Sequence, residues 1–281
     1  MNLMSILKNT TFRLLSIVFA IYTLAWLYLN LINPWNESFN NAFTDSYGII
    51  AGIGGIAGFS IAKKWGGIKS VVGRSLLAFS TGLTFNFLGQ VSYAIYFYVY
   101  KVENPYPSFG EIFYFGSIPI YIIGAWLLAA ASGSKLSLAS YRSKKIVSIL
   151  LPISMMLLSY SVFLKSYEFD WTQPILIFLD FGYPLGQAIS VSLAILTFYL
   201  SKGTLGGIMK SSVLLIVTAL IIQYVSDTTF LYQTFQDAWE PAGTSDLLFT
   251  ISYFLMSLAI LQFGEVVDKI GAGKKLKCTQ N

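Results

Sequence analysis

Four carboxylic acids lie inside apolar stretches of this sequence, and their position gives the first indication of a functional site. They are Glu111, Asp180, Asp227 and Asp246. A carboxylate deep in a lipid bilayer costs about 2.5–3.5 kcal/mol even on a lenient insertion scale, so such a group faces the protein interior, reaches the headgroups or titrates. We therefore treat these acids as candidates for a buried site.

The four acids are expected at two depths. Glu111 and Asp246 fall in the first turn of their apolar stretches, where the helix dipole favours a negative charge, so helix capping is the favoured role and ligand binding the alternative. Asp180 and Asp227 fall roughly one and a half to two turns from the outer water, given the helical rise per residue. At these two positions a structural hydrogen-bond network and a ligand or proton site are both open.

Polar side chains in the same stretches would complete a pocket around the acids. An outer pocket of carboxylates, tyrosines and amides would suit a cation, an amine or a hydroxyl-rich ligand. Tyr93, Tyr96 and Tyr100 are spaced to share one helix face and could also line it. The candidate ligand-binding residues are Asp180, Asp227, Tyr183, Glu111, Asp246, Gln90, Gln187 and Gln223.

The composition excludes several kinds of chemistry. The chain has no histidine and only one cysteine, Cys278. Histidine-ligated metal sites, Ser-His-Asp and Cys-His catalysis and internal disulfides are therefore excluded. No nucleophile–base pair is recognisable, and we expect no enzymatic activity, no catalytic residue, no metal site and no cofactor.

The elements that must position these residues are apolar spans. The chain is 55% hydrophobic and 11% charged, and its apolar stretches approach the twenty residues that cross a bilayer. We predict an all-α membrane protein, a single integral membrane domain built as a bundle of eight transmembrane helices from helical hairpins, with a short basic tail at 264–281. The predicted spans are 14–32, 46–62, 71–98, 108–131, 146–164, 174–200, 208–232 and 244–263.

The charges of alternate loops predict the orientation. Every lysine and arginine except Lys101 and Lys165 falls on the side of the termini, and every acid except Glu265 and Asp268 falls on the other side. The positive-inside rule then places both termini in the cytoplasm of a multi-pass protein in the cell membrane. The lipid bilayer is the expected partner of the basic loops, and no nucleic-acid partner is needed to explain them.

Prolines and glycines predict how the helices bend and approach. Pro119 and Pro184 each remove a backbone donor inside a span and are predicted to kink it. The pair Gly54 and Gly58 has the small-xxx-small spacing that lets a second helix come close. Spans three to eight have the pattern of three hairpins of one orientation, which would surround a central axis or cleft.

Several short motifs resemble a known family. The segment Pro105–Tyr114 resembles the Pro-Tyr-Pro-Ser-x-x-Asp-x-x-Tyr signature of a multi-span membrane region at the N-terminus of some bacterial diguanylate cyclases and histidine kinases. Arg74–Leu77, Tyr183–Gly186 and Ser245–Phe249 look similar to other parts of that region. Gln90 and Gln187 stand where acids are expected in that family, and Glu111 replaces its first aspartate.

The resemblance implies a sensory role, with one departure. No cyclase or kinase domain follows the last span, so a sensor of this kind would signal through a separate output protein or other membrane subunits. The function that we predict is a sensory or ligand-binding module, or a subunit of a membrane complex. The alternative is a small transporter or channel for a cation or a small polar solute, although the mostly apolar inner halves of the spans favour a one-sided pocket.

Overall fold

The computed structural model describes residues 10–32, 36–102, 105–131, 142–165, 167, 169–201, 209–236 and 238–278. These residues contain no strand, and helices make up most of them. The helices are α1 (Thr10–Leu31), α2 (Glu37–Thr44), α3 (Ile49–Lys64), α4 (Val71–Ile95), α5 (Gly110–Ala131), α6 (Arg142–Ser159), α7 (Pro174–Ser201), α8 (Lys210–Phe235) and α9 (Thr244–Cys278).

Local signals set several helix ends. Gly66 adopts the left-handed conformation (φ 89°) that separates α3 from α4, a backbone state open to glycine at little cost. Ser70 caps α4, because its Oγ accepts a hydrogen bond from the Gly73 amide at 3.3 Å. At its other end α4 continues as a π-helical turn, Tyr96–Tyr100, and Lys101 (φ 57°) ends the run.

Several helices are long and apolar enough to cross a membrane, which confirms the prediction of an all-helical protein with multiple spans. Seven such segments occur in the described parts of the chain, with α2 and α3 together forming one of them. The remaining predicted span, 146–164, coincides with α6 and its π-helical continuation Tyr160–Leu164, whose strongly apolar part is only Ile149–Val162. The count of eight therefore stays a prediction.

Helix α9 extends beyond the span predicted from hydropathy. It continues to Cys278, so residues 264–278 of the segment that we predicted as a tail are helical. The stretch after Phe263 is charged rather than apolar, which is why hydropathy ends the span there. It contains no proline, and Lys269 lies one turn after Glu265 with Nζ 3.9 Å from the carboxylate.

Six helices form a closed ring. Each helix contacts the next in the order α3, α4, α5, α7, α8 and α9, and α9 contacts α3 again, which closes the ring. Helix α1 packs outside the ring against α3 and α9, and α6 packs outside it against α7. The three hairpins that we predicted as repeats are therefore not equivalent, since α6 presents exposed apolar side chains such as Ile149, Leu150 and Leu157 and stays outside.

Two halves of the chain follow the same path around the ring. In each half a peripheral helix, α1 or α6, is followed by three consecutive ring helices, α3–α5 or α7–α9. Glycines make the close approaches between them: a Cβ added at Gly54 of α3 would lie 1.8 Å from Ser257 Oγ of α9. A Cβ at Gly82 of α4 would lie 2.3 Å from the Tyr121 ring of α5.

The two ends of the ring differ in chemistry. We call the end where α4 and α8 finish and α5, α7 and α9 begin the cavity end, and the opposite end the basic end. At the basic end Lys64 Nζ lies 3.0 Å from Asp268, and Trp65 Nε1 donates to the Phe263 carbonyl at 2.9 Å. Fully buried apolar side chains fill the ring between this end and the cavity: Leu76, Phe79, Ile216, Leu220, Ile260 and Phe263.

Candidate functional site

One cavity of about 590 Å³ occupies the cavity end of the ring. Every candidate ligand-binding residue from the sequence lines it, and so the structure brings together side chains from five of the six ring helices, α4, α5, α7, α8 and α9. They are Glu111, Asp180, Asp227, Asp246, Tyr183, Gln90, Gln187 and Gln223.

Glu111 and Asp180 lie at the contact between α5 and α7 and are bound by phenols. Tyr93 of α4 and Tyr183 of α7 each donate a hydrogen bond to one carboxylate oxygen of Glu111. Asp180 Oδ1 accepts from Tyr106 Oη at 2.8 Å, and its Oδ2 accepts from Tyr167 Oη at 2.7 Å. Four tyrosines therefore hold two carboxyl groups in fixed orientations without a cation.

Two of these phenols come from loops at the cavity end. Burial and the nearby carboxylate of Asp180 raise the pKa of both Tyr106 and Tyr167 above the usual value. Both side chains therefore remain protonated near neutral pH and act as donors to Asp180. This arrangement connects Tyr106, before α5, and Tyr167, before α7, to a carboxyl group in the wall of the cavity.

Asp227 lies on α8 within an amide cluster. Its Oδ2 accepts from Gln187 Nε2 of α7 at 2.6 Å and from Gln223 Nε2, one turn earlier on α8, at 3.4 Å. Gln223 Oε1 in turn accepts from Ser252 Oγ of α9 at 2.9 Å. The cluster thus ties three consecutive ring helices together.

Asp246 lies at the start of α9 and contacts the segment before α3. Its Oδ2 accepts from Thr44 Oγ1 at 2.6 Å and from the Ala242 amide at 3.0 Å. The second bond satisfies a backbone donor just before the helix, as expected for an acid near a helix start. Glu111, for which capping was the favoured role, instead accepts from two tyrosine hydroxyls.

A layer of hydrogen-bonded side chains across the ring forms the floor of the cavity. Asn86 Nδ2 of α4 donates to Tyr121 Oη at 3.0 Å, and Tyr253 Oη of α9 donates to Asn86 Oδ1 at 3.3 Å. Below this layer Phe79 and Leu83 are fully buried. The polar cavity therefore ends at Asn86, and apolar packing begins there.

Two glutamine oxygens in the cavity have no partner among the described residues. Gln90 Nε2 donates to the Thr44 carbonyl and Gln187 Nε2 donates to Asp227, so each amide nitrogen has an acceptor. The Oε1 atoms are buried and accept no hydrogen bond from the described chain. Gln90 is 4% exposed and Gln187 1% exposed. A buried acceptor without a donor is costly, and such atoms mark a place for a ligand or water.

Several lining residues were missed by the sequence analysis. Asp45 was assigned to a loop, but the short helix α2 folds back so that Thr44 and Asp45 reach the cavity. The signal for this helix is Asn36, whose side chain accepts from the Phe39 amide at 3.2 Å, followed by Glu37 in the first turn. Tyr47, Asn86, Tyr106, Tyr114 and Trp239 also line the cavity.

Most of the remaining predicted features are not part of the cavity wall. Of the three tyrosines predicted to share a lining face, Tyr93 lines it, whereas Tyr96 and Tyr100 lie in the π-helical turn beyond it. Pro119 and Pro184 lie inside α5 and α7, and both helices continue past them. The Pro184 carbonyl accepts from Ser159 Oγ of α6 at 3.4 Å.

The charges of the cavity are all of one sign. Five carboxyl groups line it, and none of the described lining residues is a lysine or arginine. Two ion pairs, Lys64–Asp268 and Lys269–Glu265, lie at the basic end. Lys101 and Lys165, the predicted outer cations, are exposed.

The resemblance to the membrane region of cyclases and kinases stays a prediction. Three of the four segments that carry it, Pro105–Tyr114, Tyr183–Gly186 and Ser245–Phe249, lie toward the cavity end of the ring, whereas Arg74–Leu77 lies near the start of α4 at the basic end. Comparison of the chain with protein-family models, with curated proteins and with solved structures found no match.

Proposed function

We propose that this protein is a membrane-embedded binding module that holds a positively charged solute in the cavity. The observation that carries the proposal is the set of five carboxyl groups around one cavity in which no described lining residue is a lysine or arginine. Like charges in a region of low dielectric constant repel, and each carboxylate also loses hydration there. A bound cation offsets both costs.

The size and walls of the cavity support a small organic cation. A volume of about 590 Å³ lies within the range of small-molecule sites. Tyr47, Tyr114, Tyr253 and Phe249 supply ring faces beside the carboxyl groups. Aromatic faces attract ammonium groups and also pack against methylene groups.

A sensory role is favoured by the packing below the cavity. Below Asn86 the ring holds fully buried apolar side chains such as Phe79 and Leu220, and the polar groups buried among them are mainly single hydroxyls such as Ser80. We place the basic end and both termini in the cytoplasm, with eight spans and an outward-facing cavity, on the asymmetry of the loop charges. The solute would then be received from outside the cell membrane.

Signalling without catalysis requires partners. We propose that occupancy of the cavity is passed to other membrane subunits or a separate output protein, in line with the resemblance to sensor regions. The absence of histidine in the sequence and of lysine and cysteine among the described lining residues favours binding over enzymatic turnover.

A transporter for a cation is the second candidate. It is favoured by the two halves of the chain, each with a peripheral helix and three ring helices, around a shared site. Such parallel repeats are common in transporters, where one half moves against the other. Reconstituted protein that carries a cation across liposomes would support this function, and binding without flux would support the sensor.

The test of binding uses the full chain purified in detergent. Melting temperatures are measured with organic cations, with polyols and with anions of matched size. We expect cations to raise the melting temperature and anions to leave it unchanged, and we expect Asp227→Asn to reduce the shift. Asp268→Asn, at an exposed carboxyl group of the basic end, is the matched control. Equal shifts in Asp227→Asn and the unaltered protein would contradict the proposal.

A further inference from the structure

The carboxyl groups of the cavity are spread around the ring. Glu111 of α5 and Asp180 of α7 form one acidic pole, linked by Tyr183, which lies on α7 and donates to Glu111. Asp246 of α9 and Asp45, which follows Thr44, form the other pole. No three acids in the described chain are grouped closely enough to hold a metal ion.

The order of the helices places these poles opposite each other. The ring runs α3, α4, α5, α7, α8 and α9, so the contact between α5 and α7 faces the contact between α9 and α3. Asp227 lies on α8, between the two poles in this order. A ligand that meets all three positions must carry positive charge at more than one point.

The unpartnered glutamine oxygens give an independent indication of hydrogen-bond donors in the ligand. Gln90 binds the Thr44 carbonyl and so lies at the pole of Asp246; it lines the cavity, and its buried Oε1 has no donor in the described chain. Gln187 binds Asp227 and leaves its buried Oε1 without a donor in the same way. An ammonium group carries several N–H donors, so it satisfies an amide oxygen and a carboxylate together.

Aromatic side chains line the cavity beside the two poles. Tyr47 of the segment before α3 stacks near Tyr253 of α9, with ring centroids 6.1 Å apart, and near Phe249 at 6.3 Å. Tyr114 of α5 packs against Tyr93 with ring centroids 5.8 Å apart. These faces suit the methylene segments that separate the charges of a flexible chain.

We infer that the ligand class is a linear diamine or polyamine, which rests on the proposed function of cation binding. One ammonium group lies at the pole of Glu111 and Asp180. A second lies at the pole of Asp246, Asp45 and Gln90. In a triamine the inner ammonium group lies beside Asp227 and Gln187.

The inference is tested by calorimetric titration of the purified full chain in nanodiscs. The probes are butylamine, 1,4-diaminobutane and spermidine, followed by diamines of three to eight methylene groups. We expect at least tenfold tighter binding of 1,4-diaminobutane than of butylamine, still tighter binding of spermidine, and an optimum in the length series. These comparisons use the unaltered protein and do not depend on the folding of any variant.

Variants with one carboxyl group neutralised then test the contribution of each pole. We expect Glu111→Gln and Asp246→Asn each to bring the affinity for 1,4-diaminobutane close to that for butylamine, with Asp268→Asn unchanged. Equal affinities for butylamine and the diamines, or a flat length series, would overturn the two-pole inference while leaving cation binding in place. Failure of every amine to bind would overturn the proposed function as well.

Discussion

Gln187 Nε2 of α7 donates a hydrogen bond to Asp227 Oδ2 of α8 at 2.6 Å, while the other end of the same amide, Oε1, has no partner in the described chain. One side chain thus satisfies an acid and also keeps an unused acceptor. Gln187 therefore supports Asp227 and also has an acceptor left for a ligand. The first prediction follows from this pair.

Replacement of Gln187 by leucine removes the close donor to Asp227. We expect the free energy of unfolding to fall by about 1–3 kcal/mol, because the carboxyl group is left poorly satisfied away from bulk water. The matched control is Gln173→Leu, since Gln173 makes the same kind of bond to Asp170 at 3.0 Å, with both side chains exposed. Unfolding in a denaturing detergent measures both, and equal losses in the two variants would contradict the burial argument.

The phenols bound to Glu111 give a second prediction. Tyr183→Phe keeps the ring and removes one of the two hydroxyl donors to this acid. We expect a loss of about 1–3 kcal/mol in stability and weaker amine binding, because the position of Glu111 is no longer fixed. Tyr100→Phe, at a residue 66% exposed, is the control. An unchanged melting temperature and unchanged amine affinity in Tyr183→Phe would show that the bond is dispensable.

Closure of the ring between α3 and α9 depends on Gly54. Gly54→Ala places a Cβ 1.8 Å from Ser257 Oγ and 2.6 Å from its Cβ, so we expect overpacking to cost about 1–3 kcal/mol. Gly271→Ala is the matched control, because nothing lies within 4 Å of its added Cβ.

A double variant separates this contact from other causes. Ser257→Gly in the Gly54→Ala background removes the clashing atoms, and we expect it to restore part of the stability. Chemical denaturation of the four proteins of the cycle measures the coupling. Additive losses would show that the two positions do not oppose each other across the α3–α9 contact.

Trp239 supplies a spectroscopic reporter of occupancy. It lines the cavity, packs against Phe230 with ring centroids 6.0 Å apart, and has a buried Nε1 without a partner in the described chain. We expect spermidine to shift the tryptophan emission, and Trp239→Phe to abolish the shift. Trp126→Phe, at a residue 57% exposed on the outside of the bundle, should leave it intact. Persistence of the full shift in Trp239→Phe would place the ligand elsewhere.

The sequence by itself determined that the protein is helical, which stretches are long and apolar enough to span a membrane, and which polar residues interrupt them. Hydrophobicity is a local property, so Glu111, Asp180, Asp227 and Asp246 could be identified as costly in lipid without knowledge of the fold. The same reasoning identified the three glutamines. All of these side chains line one cavity, although their role there stays a prediction.

Tertiary packing decided the rest. Sequence did not reveal that α6 lies outside the ring, that Thr44 and Asp45 return to the cavity, or that Glu111 and Asp180 form a pole opposite Asp246. The rotation and order of the helices depend on which small residue meets which large one, as Gly82 meets Tyr121 between α4 and α5. That pairing joins residues distant in the chain, so no local pattern contains it.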